Sequence, residues 1–241
     1  MMKKIQLTAL GLSLSMGCFA GEMGIVPEVS GLYAEAMLDY NGYHFNRAYT
    51  ASFFGPEEIR APSALIRNRF GYGLGVGYRF NDYIRTAFTF QARPSVRYQV
   101  VDDGPEQANG DFDSYAYLMN AYLSHPSLSM ENFTPYIMGG LGVAQNKTSN
   151  IFWPLAVQTE FSDRTTQFAW QAGIGGLYAV NPHWMVDINY HFVSLGEVKN
   201  SGQYDAVGAN GVPANGAPTR FNRIYSNQVE LGVIYRFGVT V

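Results

Sequence analysis

Charged residues within alternating segments carry the chemistry open to this chain. Glu35, Asp39, Arg69, Arg79, Arg85, Arg93, Arg97, Asp187, His191, Glu230 and Arg236 occupy one parity, and the other parity is mainly apolar. Guanidiniums and carboxylates gathered on one face can line a gated ion path. They can also pair with each other in a filled interior, where an unpaired charge is costly. No His/Cys cluster has metal-ligand spacing. Gly71-x-Gly-x-Gly-x-Gly77 follows a strand period and does not read as a phosphate loop. Neither a metal nor a cofactor is expected.

A second candidate is apolar. Ile151, Phe152, Trp153 and Leu155 form a run with Ala156 and Val157 inside a long connecting segment. An exposed apolar patch marks an interaction surface. The same run can instead fold back on the membrane interface or on the rim of the body that carries it, with Phe53 and Phe54 as packing partners. Both readings stay open at this point.

Period-two alternation supplies the elements that position these residues. In the last segment, Tyr225, Val229, Leu231, Val233, Tyr235 and Phe237 share a face, and Ser226, Gln228, Glu230, Gly232 and Arg236 share the other, with Ile234 the apolar exception. Eight such strands are expected: Val29–Tyr40, Asn68–Phe80, Ile84–Val100, Asp113–Leu123, Phe133–Asn146, Thr165–Val180, Trp184–Leu195 and Arg223–Phe237. In the third, Val96 and Tyr98 are expected outward and Arg97 and Gln99 inward, with a bulge near Pro94. Connections alternate long and short. Residues 41–67 and 147–163 read as long loops, and 196–222 as a mobile one. Outward aromatics gather at both strand ends, as Tyr78, Tyr178 and Trp184 at one and Tyr40, Phe70 and Tyr115 at the other. Those are two interfacial girdles. The glycines of the second strand leave room for long side chains from its neighbours.

The N-terminus and composition agree. Lys3 and Lys4, the apolar run from Ile5 to Met16 and a small-residue end at Ala20 read as a cleaved secretory signal. Acylation at Cys18 is the second-ranked alternative. Residues 1–20 are therefore expected to leave, and 21–241 to form one barrel domain without cysteine. The 14 basic residues of that domain face 19 acidic ones, a net charge of −5. Nucleic acid, which wants a basic face, is not an expected partner.

Leu118-Met-Asn-Ala-Tyr122, Thr134-Pro-Tyr-Ile137, Gly140-Leu-Gly-Val143 and Phe168-Ala-Trp-Gln-Ala-Gly-Ile-Gly175 resemble the strand patterns of small outer-membrane barrels of the OmpA transmembrane-domain and opacity-protein type. Glu230-x-Gly232-x-x-Tyr235-x-Phe237 resembles the C-terminal targeting signal of such proteins, although Gly238-Val-Thr-Val241 follows the aromatic. The resemblance implies an all-β, antiparallel up-and-down transmembrane barrel of eight strands, with three short periplasmic turns and four long extracellular loops. It implies a monomer in a Gram-negative outer membrane. Implied partners are membrane lipid, lipopolysaccharide and the barrel-assembly machinery, with an extracellular or host ligand for the loops. Surface recognition, adhesion or envelope structure is the expected role. A narrow channel or a lipid-modifying enzyme is the alternative. Some barrels of that membrane deacylate lipid with a lipid-facing His-x-Ser pair. Here His191 and Ser194 are spaced His-x-x-Ser and His191 has inward parity, so no enzyme is expected. A barrel of this size is just wide enough for its own side chains, which favours pairing over an ion path. Glu35 and Glu230 fall on adjacent closing strands, and an arginine is expected to bridge them.

Overall fold

The computed structural model describes residues 31–53, 55–205 and 214–238. The expected signal segment 1–20 and Phe54 lie outside these residues. The strands are β1 (Gly31–Ser52), β2 (Gly55–Arg60), β3 (Ser63–Ile66), β4 (Arg69–Arg79), β5 (Ile84–Val101), β6 (Gln107–Ser124), β7 (Phe133–Thr148), β8 (Ile151–Trp153), β9 (Gln158–Glu160), β10 (Arg164–Ala179), β11 (Trp184–Lys199), β12 (Gln203–Tyr204), β13 (Ala214–Asn215) and β14 (Arg220–Arg236). The long strands pair antiparallel in a ring, from β1 through β4, β5, β6, β7, β10 and β11 to β14, which returns to β1. A closed ring leaves no exposed sheet edge.

Below the upper girdle the alternation turns apolar side chains outward. Leu38 is 64% exposed and Phe70 is 71% exposed. So many exposed large apolar side chains on one continuous surface suit lipid, not water. On the inside, Gly71, Gly73, Gly75 and Gly77 of β4 face Asp39, Met37, Glu35 and Tyr33 of β1, each in cross-strand register. A Cβ at any of the four would collide with that partner's side chain. The glycine row is thus the bed on which the inner side chains of β1 lie.

The strands run further than their alternation suggested. β1 continues to Ser52 and folds back on β2. β3 pairs with β5, and β8 pairs with β9. Residues 196–222, expected as a mobile loop, include β12 and β13, and Tyr204 is buried. Among the described residues, fourteen strand segments therefore form the sheet. Burial of Tyr43, Ala48, Thr50 and Tyr204 takes their backbone away from water, and strand pairing satisfies its polar groups.

The largest departure lies in β5. Its pairing with β6 slips between Arg93 and Val96, and Ser95 has φ +52°. Asp113 Oδ1 accepts the Ser95 N–H at 2.8 Å and holds this bulge. Beyond it the faces exchange. Val96, Tyr98 and Val100 are buried inside, and Arg97 is exposed, contrary to the expected parity. The bulge in β5 adds one residue and so reverses which side chains face in. The buried parity also changes near Arg223 of β14 (φ +51°) and near Gly196 of β11 (φ +75°), there without a net register shift against the paired strand. Above these points Tyr43, Tyr98, Phe112, Phe221, Ile151, Trp153, Leu195 and Tyr204 form an apolar interior. The lower body is thus apolar outside, and the upper body is apolar inside.

Candidate functional site

The inner residues stack in tiers. At the lower end Tyr33, Tyr122, Tyr136, Met138, Leu177, Met185 and Ile234 pack together. Ile234, the exception in its strand's pattern, belongs to this floor. Arg85 stands on it, with its guanidinium 3.7 Å from the Tyr122 ring centre and 4.7 Å from that of Tyr136. It reaches Asp187 at 3.0 Å and Glu35 at 4.0 Å. Tyr136 donates to the other Asp187 oxygen at 2.5 Å. One cation thus holds two carboxylates between aromatic faces that favour it.

Side-chain amides dominate the next tiers. Glu230 accepts from Asn189 Nδ2 at 2.9 Å and from Gln91 Nε2 at 3.4 Å. Arg93 donates to Asn41 Oδ1 at 3.1 Å, Gln91 Oε1 at 2.6 Å and Gln228 Oε1 at 3.2 Å. Asp39 accepts from Asn41 Nδ2. The His191 ring lies between Asn189 Oδ1 and Gln228 Oε1, 2.6 Å from each. A buried imidazole clamped by two amides bridges strands and has no path to lipid.

Four expectations need correction. The arginine bridge joins Glu35 to Asp187, not to Glu230, because cross-strand register sets Glu230 opposite Asp39 and Glu35 opposite Ile234. Arg97 leaves the interior through the bulge and pairs with Asp111 at 3.6 Å on the outside. Arg69 begins β4 at the upper end, where it is exposed. Arg79 sits at the lower mouth and pairs with Asp82 of the adjoining turn at 3.0 Å. Arg236 is buried near that mouth, as expected.

The upper apolar interior is tied together by hydrogen bonds. Tyr98 donates to Asn200 Oδ1 at 2.9 Å, and Asn200 Nδ2 donates to Ser149 O at 2.8 Å and Phe161 O at 3.3 Å. Glu160 is fully buried and accepts from the Thr219 N–H at 2.9 Å and the Thr219 hydroxyl at 2.6 Å. Burial pushes its carboxyl above the usual range, and the Thr219 bonds oppose that shift. The apolar run divides here. Ile151 and Trp153 face inward and are buried, whereas Phe152 and Leu155 are exposed, as is Val157. Two of the four expected contact residues therefore close the interior. Phe53 stands over Gly104, and its N–H donates to Asp103 Oδ1 at 2.8 Å.

The closing strand carries the expected assembly residues. Tyr235 packs against Trp184, with ring centres 4.8 Å apart, and against Phe237 at 5.1 Å. Phe237 is half exposed, and its N–H donates to Leu32 O at 2.9 Å. Gly232 and Glu230 face inward. The reading by charge missed Tyr33, Tyr122, Tyr136, Asn41 and Gln228, which hold the charges in place. Their shared parity with Arg85, Arg93 and Glu230 was the available signal.

A model of the outer membrane protein β-barrel domain matches residues 8–237. Outer membrane protein PagN of Salmonella typhimurium is 30% identical over 210 residues, covering 77% of this chain and 82% of that protein. Among solved structures, the outer membrane protein OprG from Pseudomonas aeruginosa matches with a TM-score of 0.58 at 15% identity, over 90% of this chain and all of that one. The outer membrane protease OmpT from Escherichia coli matches with a TM-score of 0.51 at 10% identity, over 86% of this chain and 94% of that one. Likenesses at such low identity show a common fold and nothing more. The ring of strands, the lipid-suited exterior and the matched domain agree on a transmembrane β-barrel of the Gram-negative outer membrane, and the chain belongs to the outer membrane protein β-barrel family.

Proposed function

We propose that the protein is an eight-stranded barrel with a side-chain-filled lumen that works through its extracellular segments in surface recognition or adhesion, without enzymatic activity. In this reading three short turns face the periplasm and four long connections face outward. The barrel works as a monomer, inserted by the barrel-assembly machinery among lipid and lipopolysaccharide. The single observation that carries it is the β8–β9 hairpin. Phe152, Leu155 and Val157 remain exposed there, while Ile151 and Trp153 anchor the hairpin in the apolar interior. A rigid scaffold that presents apolar residues in a connecting segment is a common basis for binding. Replacing Phe152, Leu155 and Val157 together by serine is expected to lower adhesion of expressing cells to host-cell monolayers by about tenfold, with surface levels unchanged. Adhesion equal to wild type at equal surface levels would remove the hairpin from the binding surface. Planar-bilayer recording adds a second arm. The tiers around Arg85, Glu230 and Arg93 support a sealed interior, so steady single-channel steps from the wild-type protein would revive the channel alternative.

The terminal aromatics support an assembly role as well. Phe237→Ala is expected to reduce the heat-modifiable barrel recovered from outer membranes. Its ring packs on Tyr235 and its side chain is half exposed, so little of the folded body depends on it. Wild-type recovery of the variant would refute that role.

A further inference from the structure

Lys147 of β7 and Arg164 of β10 lie directly opposite each other in cross-strand register. Both are exposed. Paired positions on neighbouring strands bring Cβ atoms to about 5 Å. Descending the same outer face, the next pair is Gln145 with Thr166, then Val143 with Phe168, then Leu141 with Trp170. β6 adds Tyr115 beside Gln145 and Tyr117 beside Val143. The surface therefore passes from apolar, through an amide, a hydroxyl and a tyrosine, to two cations within four residues, roughly 13 Å along a strand. That is the order of groups in an amphiphile standing in the outer leaflet: acyl chain, polar backbone, anionic head.

The cations are free to take an external anion. Among the described residues neither forms an ion pair within 4.0 Å. The nearby carboxylates are already engaged. Asp113, opposite Lys147 in register, accepts the Ser95 N–H at 2.8 Å, and Asp163 accepts the Arg164 N–H at 2.7 Å. Within their row the two cations outnumber the one carboxylate, Asp113. A guanidinium beside an ammonium suits a phosphate, the first as a planar two-point donor and the second as a point charge.

We infer that Lys147 and Arg164 form a binding site for the sugar-linked phosphate of an acylated glycolipid in the outer leaflet, whose acyl chains lie on Val143, Phe168, Leu141 and Trp170. This site is separate from the β8–β9 hairpin, so the failure of either reading leaves the other standing. The test uses the full-length mature barrel in phosphatidylcholine nanodiscs containing bis-phosphorylated lipid A, with bound lipid counted by native mass spectrometry. K147Q/R164Q is expected to weaken retention of lipid A by about tenfold, while R47Q/R60Q, which removes two exposed cations elsewhere on the extracellular side, retains it. Lipid A stripped of its phosphates should fail to compete, and inorganic phosphate should fail to displace the bound lipid. Retention by K147Q/R164Q equal to wild type, equal loss in R47Q/R60Q, or displacement by inorganic phosphate alone would each overturn the assignment.

Discussion

Arg85→Ala is expected to lower the stability of the refolded barrel by about 3–5 kcal/mol, the range for removing one partner from a buried ionic group. Arg85 is the guanidinium that reaches both Asp187 and Glu35, and both carboxylates are buried. Truncation leaves two anions side by side without a cation and opens a gap against Tyr122 and Tyr136. The measurement is the urea midpoint of barrel refolded in detergent. Two companions make the outcome specific. Arg85→Ala combined with Asp187→Asn should recover part of the loss, since groups in one network are not additive. Glu230→Gln should cost far less, about 1 kcal/mol, because the glutamine oxygen can still accept from Asn189 Nδ2 and only the longer bond from Gln91 Nε2 is lost. A wild-type midpoint for Arg85→Ala would dismiss the guanidinium as the keystone of the lower tier.

Gly77→Val should go further and prevent a folded barrel from accumulating. A Cβ at Gly77 would overlap the Tyr33 ring on one side and the Thr86 carbonyl on the other. A flexible side chain can swing away, but a backbone carbonyl paired inside a sheet cannot. Overpacking of ordinary cores costs about 1–3 kcal/mol, and here the added branch also meets fixed backbone. Tyr33 is itself tethered, as its hydroxyl donates to that same Thr86 carbonyl at 3.0 Å. The readout is the heat-dependent gel shift after refolding. Gly139→Ala is the matched control, because a Cβ there comes no closer than 3.9 Å to its nearest neighbour, Gln171 O. A normal shift for Gly77→Val would mean that β1 and β4 can separate without loss of closure.

These expectations show where the sequence was legible. The lipid-facing side of the lower body follows from alternation alone, and Leu38, Phe70 and Phe168 are exposed as that pattern requires. The glycine row of β4 also spoke plainly, since four glycines at period two leave one face bare. Reading failed where the pattern continued but its meaning reversed. From Ile84 to Val101 the even positions stay apolar or small without a break, so nothing in the alternation marks the point at which they turn inward. Pro94 hinted at a bulge, yet only the register slip between Arg93 and Val96 reveals its consequence for Arg97. The interior network was half legible. Charge drew attention to Arg85, Asp187 and Glu230, while neutral amides such as Gln228 carry no comparable signal even though they make as many contacts. The bridge between Glu35 and Asp187 spans strands far apart in sequence, and no local pattern records it.

The bulge at Ser95 also bears on how genes for such a protein can change in length. Period two makes a strand behave like a reading frame in space, since a shift of one residue moves every later side chain to the opposite side. In β5 the extra residue falls where water replaces lipid, so the same alternating text is read in one phase below it and in the other above. Within the lower strands, codon gains or losses should survive selection only in pairs. At the boundary a single codon is what separates a lipid-facing Phe90 from an inward-facing Val96. Lineages that settled deeper or shallower in their membrane would be expected to have moved this one codon along the strand, keeping the alternation on either side intact.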